Sequence, residues 1–356
     1  TEREFPEGVF PLLDCAKESN HFIIHALKPN ALPNAWLGIR PEIKNEADVM
    51  NADRLLMAVP LSIKHDLFGI MLIEETENGR RFRSRRIEII NGIAQQAALA
   101  IQNDLLQQEM VVRERLETEV QLARQIQQTF IPQFLPEHPA WQFAARWRTA
   151  RQVGGDFYDV IELPNKKLGI FIADVADKGM PAALFMALTR TLMRAAVIET
   201  TSPAEALGRV NDLLLPDTQQ GMFVTAVYGE LDVEEGKFTY VNAGHNPPLW
   251  VKENGEIEKL TRTAIALGVM VQPDIQERTI SLSFGDKLLL YTDGLTEAFS
   301  AEGDLFGEAR LMTALMDTHS QTSDEVLVGV EEHLNEFIGV VPLGDDLTML
   351  AIRRVE

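Results

Sequence analysis

The sequence predicts an α+β protein of two domains joined by a long helix. Three observations carry this. A chain of 356 residues is long enough to bury two cores. Apolar strands bounded by tight turns recur through the C-terminal two thirds with few helices between them, a mixture unlike a repeated parallel strand–helix–strand winding. Between Ile93 and Ile131 there is neither proline nor glycine, and strong helix formers dominate.

Taken in order, "RLLMAVPLSI" (54–63) and "LFGIMLIEE" (67–75) read as two strands of a hairpin around "KHD". Ser84 stands where a helix N-cap belongs, and Ile87, Ile90, Ala94, Ala97 and Ile101 then recur at three and four, the spacing of one buried face. The stripe continues through Leu105, Val112, Leu116, Val120, Ala123, Gln127 and Phe130. A coiled coil between two chains explains it, and so does packing on the chain's own domains. Pro132 and Pro136 end the helix, and a new domain begins near residue 135. In that domain "KLGIFIADV" (167–175) is a buried strand, Pro181 opens a helix, and "GMFVTAVYGELDVEEGKFTYVNAG" is two strands around "EEGK". "DKLLLYTDG" and "LTMLAIRRV" are further apolar strands.

The composition, 46% hydrophobic and 24% charged, is that of a globular protein. All but two units of the net charge of −20 lie beyond residue 103. Such a surface repels phosphate backbones and argues against nucleic acid as a partner. No apolar run approaches the ~18 residues of a membrane span. "TEREFPEGVF" has no signal-peptide character, and the single cysteine, Cys15, suits a reducing compartment. A cytoplasmic location is the expectation.

Acidic residues recur at strand ends. Asp156 follows "VGG", Asp174 follows "LGIFIA", Asp293 follows "KLLLYT", and Asp345 and Asp346 precede "LTMLAI". One such aspartate is usually a turn former. Four such places suggest oxygen ligands for a hard divalent ion. Asp156 and Asp159, three apart, would face opposite sides of a strand and cannot chelate one ion together, so Asp159 reads as structural.

"GGDFYDV", "ADVADKGMPAALFMA", "NAGHNPPLW", "YTDGLTEA" and "GDDLTML", in that order, resemble the SpoIIE/RsbU-type branch of the PPM metal-dependent serine/threonine phosphatases. The resemblance covers about residues 115–354 and includes "LARQIQQTFIP", similar to the family's entry helix. It implies an α-β-β-α sandwich with two Mg²⁺ or Mn²⁺ ions at one end and hydrolysis by a metal-activated water. It also implies roles. Asp174 would bridge the ions, with the Val175 carbonyl beside it; Asp293 and Asp345 would hold one ion; Asp156 would serve the second, partly through water. Asp346 occupies a position that is often Asn in relatives and ranks behind Asp345. Gly154, Gly155, Gly179 and Gly294 would permit close backbone approach or positive φ.

One departure concerns the general acid: where eukaryotic relatives carry a histidine, this chain has Ala176. His245 reads first as part of a rigid loop, and Arg146, Arg148 and Arg151 are weak candidates for the phosphate-binding arginine. The implied substrate is a phosphoserine or phosphothreonine protein, typically a STAS-domain anti-sigma-factor antagonist. The hairpin, basic turn and exit helix resemble part of a GAF sensor domain. The expected organisation is therefore a GAF-like sensor at 1–103, a helical linker with possible homodimer contacts at 104–134, and the phosphatase domain at 135–356. Two other functions fit the sequence less well. "GGDF" is similar to a diguanylate-cyclase signature, but "YTDG" and "GDDLT" have no place there. A pseudophosphatase scaffold would be expected to have lost ligands, and the acids are retained.

Overall fold

The computed structural model describes residues 23–27, 54–64, 66–76, 84–218, 221–318 and 321–355. The chain divides into two compact units inside one helix, between Leu116 and Glu117, within the stretch 104–134 that the sequence marks as a connection.

In the first unit, strands β1 (Ile23–Leu27), β2 (Arg54–Ile63) and β3 (Asp66–Thr76) form an antiparallel sheet in that order. The β2–β3 hairpin stands where the sequence predicts it; the five-residue β1 carries too short a pattern to be read. Helix α1 (Ser84–Phe130) is one unbroken element of 47 residues. Ile90 and Ala94 of α1 pack with Val59 into a small core. Of the residues expected to form a GAF-like domain, 1–22, 28–53, 65 and 77–83 lie outside the described part.

The second unit contains two five-stranded antiparallel sheets. One runs β10 (Ile257–Lys259), β9 (Leu249–Val251), β12 (Lys287–Tyr291), β13 (Leu347–Arg354), β4 (Trp141–Arg148). The other runs β11 (Arg278–Ser281), β8 (Lys237–Ala243), β7 (Val224–Asp232), β6 (Lys167–Val175), β5 (Phe157–Leu163). Alternation along the strands builds two cores. Leu288, Leu290, Leu350 and Ile352 join the core of the second sheet, whereas Leu289, Tyr291, Met349 and Ala351 face helices on the other side.

Helices α2 (Met180–Glu199) and α3 (Pro203–Leu214) cover the outer face of the second sheet. A short α4 (Asp293–Thr296) follows β12, and α5 (Gly307–Asp317) packs on α6 (Ser323–Ile338), which lies across β4 and β13. The result is the expected α-β-β-α sandwich. Helix starts obey local rules. A capping box between Thr322 and Glu325 begins α6, and Ser202 accepts the Glu205 N–H at the head of α3. Helix α2 is apolar and long enough to cross a membrane by composition alone. Here it is a core helix, with Ala182, Phe185, Met186 and Met193 buried.

Candidate active site

Strand register gathers the acids. Phe157 pairs with Ala173, Tyr291 with Met349, and Leu347 with Arg148. The start of β5, the end of β6, the end of β12 and the start of β13 therefore share one end of the sandwich. Asp156, Asp174, Asp293, Asp345 and Asp346 all emerge there.

Asp156 is buried and bridges the two sheets. Thr292 and Thr348 continue the inward faces of β12 and β13, and their hydroxyls donate to Asp156 Oδ2 at 2.5 and 3.0 Å. Asp346 is equally committed. Its Oδ1 accepts the Ala150 N–H at 2.8 Å, and its Oδ2 accepts those of Gly155 at 2.8 Å and Asp156 at 3.5 Å. This explains two glycines. A Cβ on Gly154 would stand 1.8 Å from Asp346 Oδ2, and one on Gly294 would stand 1.9 Å from the Asp346 carbonyl oxygen. Gly155 similarly lets the chain approach Val175, whose carbonyl oxygen would be 3.0 Å from an added Cβ. Gly179 has φ +80° at the head of α2.

The other acids have more local partners, and Asp345 Oδ1 accepts the Asp346 N–H at 2.9 Å. The Asp174 charge bears on the neighbouring Asp156 carboxyl. Asp345 pairs with Lys178 at 2.6 Å, and the Lys178 ammonium also donates to the Gly344 carbonyl at 3.1 Å. Burial, reinforced by the charges of Asp174 and Asp345, pushes Asp293 up to about 7. Burial raises Asp174 to about 6 and holds Asp156 well above the usual carboxylate range; Asp346 is also raised by burial, opposed by its backbone donors. These shifts reflect anionic groups crowded out of water, with Lys178 as the cation paired among them.

A cluster of hard oxygen donors that resist ionising together fits a divalent cation, whose charge reverses the repulsion. Asp156, Asp174, Asp293, Asp345 and the Val175 carbonyl are the groups available to hold one, with Asp346 behind them. Among the described residues no three acidic or histidine side chains yet form a closed cage. In this arrangement Asp345 is turned to Lys178, and a cation would compete with that ammonium.

The remaining residues singled out by sequence fall as follows. Asp159 lies on the opposite face of β5 and takes a bidentate pair from Arg194 at 2.6 and 2.8 Å, with Arg190 at 3.2 Å, so it is structural. His245 is buried beside the site, its Nδ1 2.8 Å from Thr225 Oγ1, and burial lowers it to about 4. It is a neutral loop anchor at neutral pH. Arg146 is committed to Asp324 and Glu331 of α6. Arg148 ends β4 opposite Leu347. Arg151 approaches Gly179 beside Lys178. Ala176 uses its N–H on the Phe223 carbonyl and offers no acidic proton. Sequence reasoning missed Thr292, Thr348 and Lys178. Both threonines interrupt apolar alternation on an inward face, which was the available signal.

Residues 164–355 match the family described as Stage II sporulation protein E (SpoIIE). The chain belongs to the SpoIIE family. Its relatives include Protein IcfG of Synechocystis sp., 32% identical over 263 residues, covering 66% of this chain and 41% of that protein. Phosphoserine phosphatase RsbU of Bacillus subtilis is 27% identical over 245 residues, covering 68% of this chain and 72% of that one. The chain thus spans less than half the length of the first relative and nearly three quarters of the second. Among solved structures, the SiaA-PP2C domain of Pseudomonas aeruginosa superposes with a TM-score of 0.60 at 25% identity, covering 68% of this chain and 98% of that domain. The RsbU and RsbW domains of Rv1364c from Mycobacterium tuberculosis give 0.53 at 28% identity, covering 62% and 61%. The sandwich of this SpoIIE-family chain is accordingly a PP2C-type fold, and the acids described above sit at one end of it.

Proposed function

We propose that this SpoIIE-family chain is a metal-dependent protein serine/threonine phosphatase. The carrying observation is the convergence of Asp156, Asp174, Asp293, Asp345 and Asp346 at one sandwich end, with four of them pushed toward protonation. Two bound Mg²⁺ or Mn²⁺ ions would supply an activated water and neutralise charge on the phosphoryl group. Asp174 would serve both ions, with the Val175 carbonyl beside it; Asp293 and Asp345 would hold one and Asp156 the second, while Asp346 supports the loop that carries Asp156. We assign Lys178 and Arg151, near enough for their charges to oppose each other, to the phosphoryl oxygens once Lys178 leaves Asp345. His245, kept neutral by burial, holds Thr225.

The names of relatives such as RsbU support a phosphoserine substrate, and a phosphorylated STAS-domain protein is the class we assign. A cytoplasmic setting, a GAF-like sensor over 1–103, a linker over 104–134 and a catalytic domain over 135–356 complete the reading. We assign homodimer contacts to the exposed apolar residues of α1, among them Leu105, Val112 and Leu116. The test is phosphate release from phosphorylated STAS proteins by metal-stripped protein, with and without Mn²⁺ or Mg²⁺. Turnover that depends on the ion supports the proposal. Binding of the phosphoprotein without turnover would instead identify a pseudophosphatase scaffold.

A further inference from the structure

One buried polar side chain near the site belongs to none of the groups above. Gln127, three residues before the end of α1, is only 3% exposed. Its amide pairs with the main chain of Gly154 in both directions. Gln127 Nε2 donates to the Gly154 carbonyl at 2.5 Å, and the Gly154 N–H donates to Gln127 Oε1 at 3.1 Å. Only one orientation of the amide satisfies both bonds, so the side chain is fixed at both ends of its dipole.

Gly154 is a demanding partner. Its neighbour Gly155 is held by Asp346, and the next residue is Asp156. No side chain fits at position 154, because Asp346 Oδ2 fills the space. The loop therefore lies between two clamps: the Asp346 carboxylate on the β13 side and the Gln127 amide on the α1 side. The same seam continues beyond the loop. The Tyr158 hydroxyl donates to the Pro132 carbonyl at 3.3 Å, and the Arg190 guanidinium lies 5.9 Å from the centre of the Phe130 ring.

We infer that Gln127 is a positioning residue for the acid cluster: its amide sets the main chain at Gly154 and thereby the placement of Asp156. This rests on the metal-dependent reading above. A buried glycine peptide has few ways to replace two lost hydrogen bonds, and any shift in it is passed along two residues of main chain to Asp156. The last turns of α1 are thus part of the site's support, through one named side chain.

The test uses the full chain, stripped of metal, and reads Mn²⁺ binding by titration calorimetry. Gln127→Met keeps length and bulk but removes both bonds. Gln127→Glu keeps an acceptor for the Gly154 N–H and sets a second oxygen against the carbonyl. Val330→Ala, in the buried core of α6 on the far side of the other sheet, is the control for simple loss of stability. We expect at least a tenfold weaker Mn²⁺ affinity in both Gln127 variants, and affinity within twofold of the parent in V330A even where its melting temperature falls as far. If Q127M proves insoluble, Q127E alone decides by the same criterion. Gln127 variants that bind Mn²⁺ within twofold of the parent overturn the inference. A parent protein that binds no Mn²⁺ overturns the metal reading itself, which is a separate result.

Discussion

Within a single cluster of five carboxylates, two are tied to distant strands and loops and three are held only locally. Asp156 and Asp346 have oxygens occupied by Thr292, Thr348, Ala150 and Gly155, and they join the two sheets and the loop between them. Asp174, Asp293 and Asp345 project from strand ends; Asp345 takes only the adjacent Asp346 N–H at 2.9 Å and the half-exposed Lys178 at 2.6 Å, and burial with mutual repulsion keeps Asp174 and Asp293 partly protonated. The difference separates support from chemistry. A group with its lone pairs already used builds the site at a fixed position, whereas a group held in repulsion gains most when a cation arrives.

The comparison breaks most readily at the loosely held side. Asp174→Asn and Asp293→Asn preserve size and remove one charge each. Hydrolysis of a phosphoserine substrate should fall by at least ~1000-fold, or about 4 kcal/mol of transition-state stabilisation. The melting temperature of metal-free protein should stay level or rise, because repulsion is relieved. Retained turnover within tenfold, at saturating Mn²⁺, would remove these residues from the chemistry.

Neighbouring acids sharpen the contrast. Asp345→Asn should weaken Mn²⁺ binding at least tenfold yet change stability little, since its bond to Lys178 is a half-exposed ion pair of the kind worth about 0–1 kcal/mol. Asp346→Asn should act the other way. Ala150 and Gly155 donate to different oxygens, so an amide must turn its own N–H₂ toward one of those donors. An unsatisfied buried donor costs about 1–3 kcal/mol, read as a lower midpoint in metal-free urea unfolding. The family resemblance suggests that an amide is tolerated here; the backbone donors to both oxygens argue otherwise. Equal unfolding midpoints for the two variants would erase the distinction between the two groups.

The loosely held side also sets a pH dependence. Asp293 is raised to about 7 and Asp174 to about 6, from 3.8. A carboxyl whose value is higher in the folded state stabilises the fold while protonated, and that stability is lost as pH rises through the folded value. Metal-free protein should therefore melt higher at about pH 5.5 than at about pH 8. Saturating Mn²⁺ should flatten or reverse the trend, because the ions take the deprotonated carboxylates. A metal-free protein whose melting rises steadily between those two pH values would contradict the electrostatic account of the cluster.

Much of this is legible in the sequence. Strands β6, β12 and β13 are buried on both faces and so read as continuous apolar runs, and the acids at their ends announce themselves by position. Strand β4, "WQFAARWR", mixes arginines with half-buried positions and gives no clean alternation. What sequence could not carry was the division of labour. The donors that occupy Asp346 lie 191 and 196 residues away along the chain, and Lys178 meets Asp345 only because the end of β6 and the start of β13 share one end of the sandwich. Gln127 looked like an imperfection in an apolar stripe until Gly154 was seen beside it.

That stripe contains a second comparison, and the smallest expected effect. Leu105, Val112 and Leu116 are half-exposed, whereas Gln127, on the same stripe, is buried against the loop before β5. If the first part of α1 carries a sensor's state to the second, its helical phase matters. One residue inserted after Glu109 rotates what precedes it by ~100° relative to Gln127, whereas seven residues return it to within ~20°. Neither insertion touches a residue of the second unit, which begins at Glu117. The one-residue insertion should change the rate on a phosphoprotein substrate about threefold to tenfold, in either direction, and the seven-residue insertion should restore it. Such an effect corresponds to roughly 0.6–1.4 kcal/mol, the scale of a bias between two arrangements close in free energy. Rates independent of insertion length would make the first part of α1 a tether, and would confine the helix's influence on the site to Gln127 and the turn that follows it.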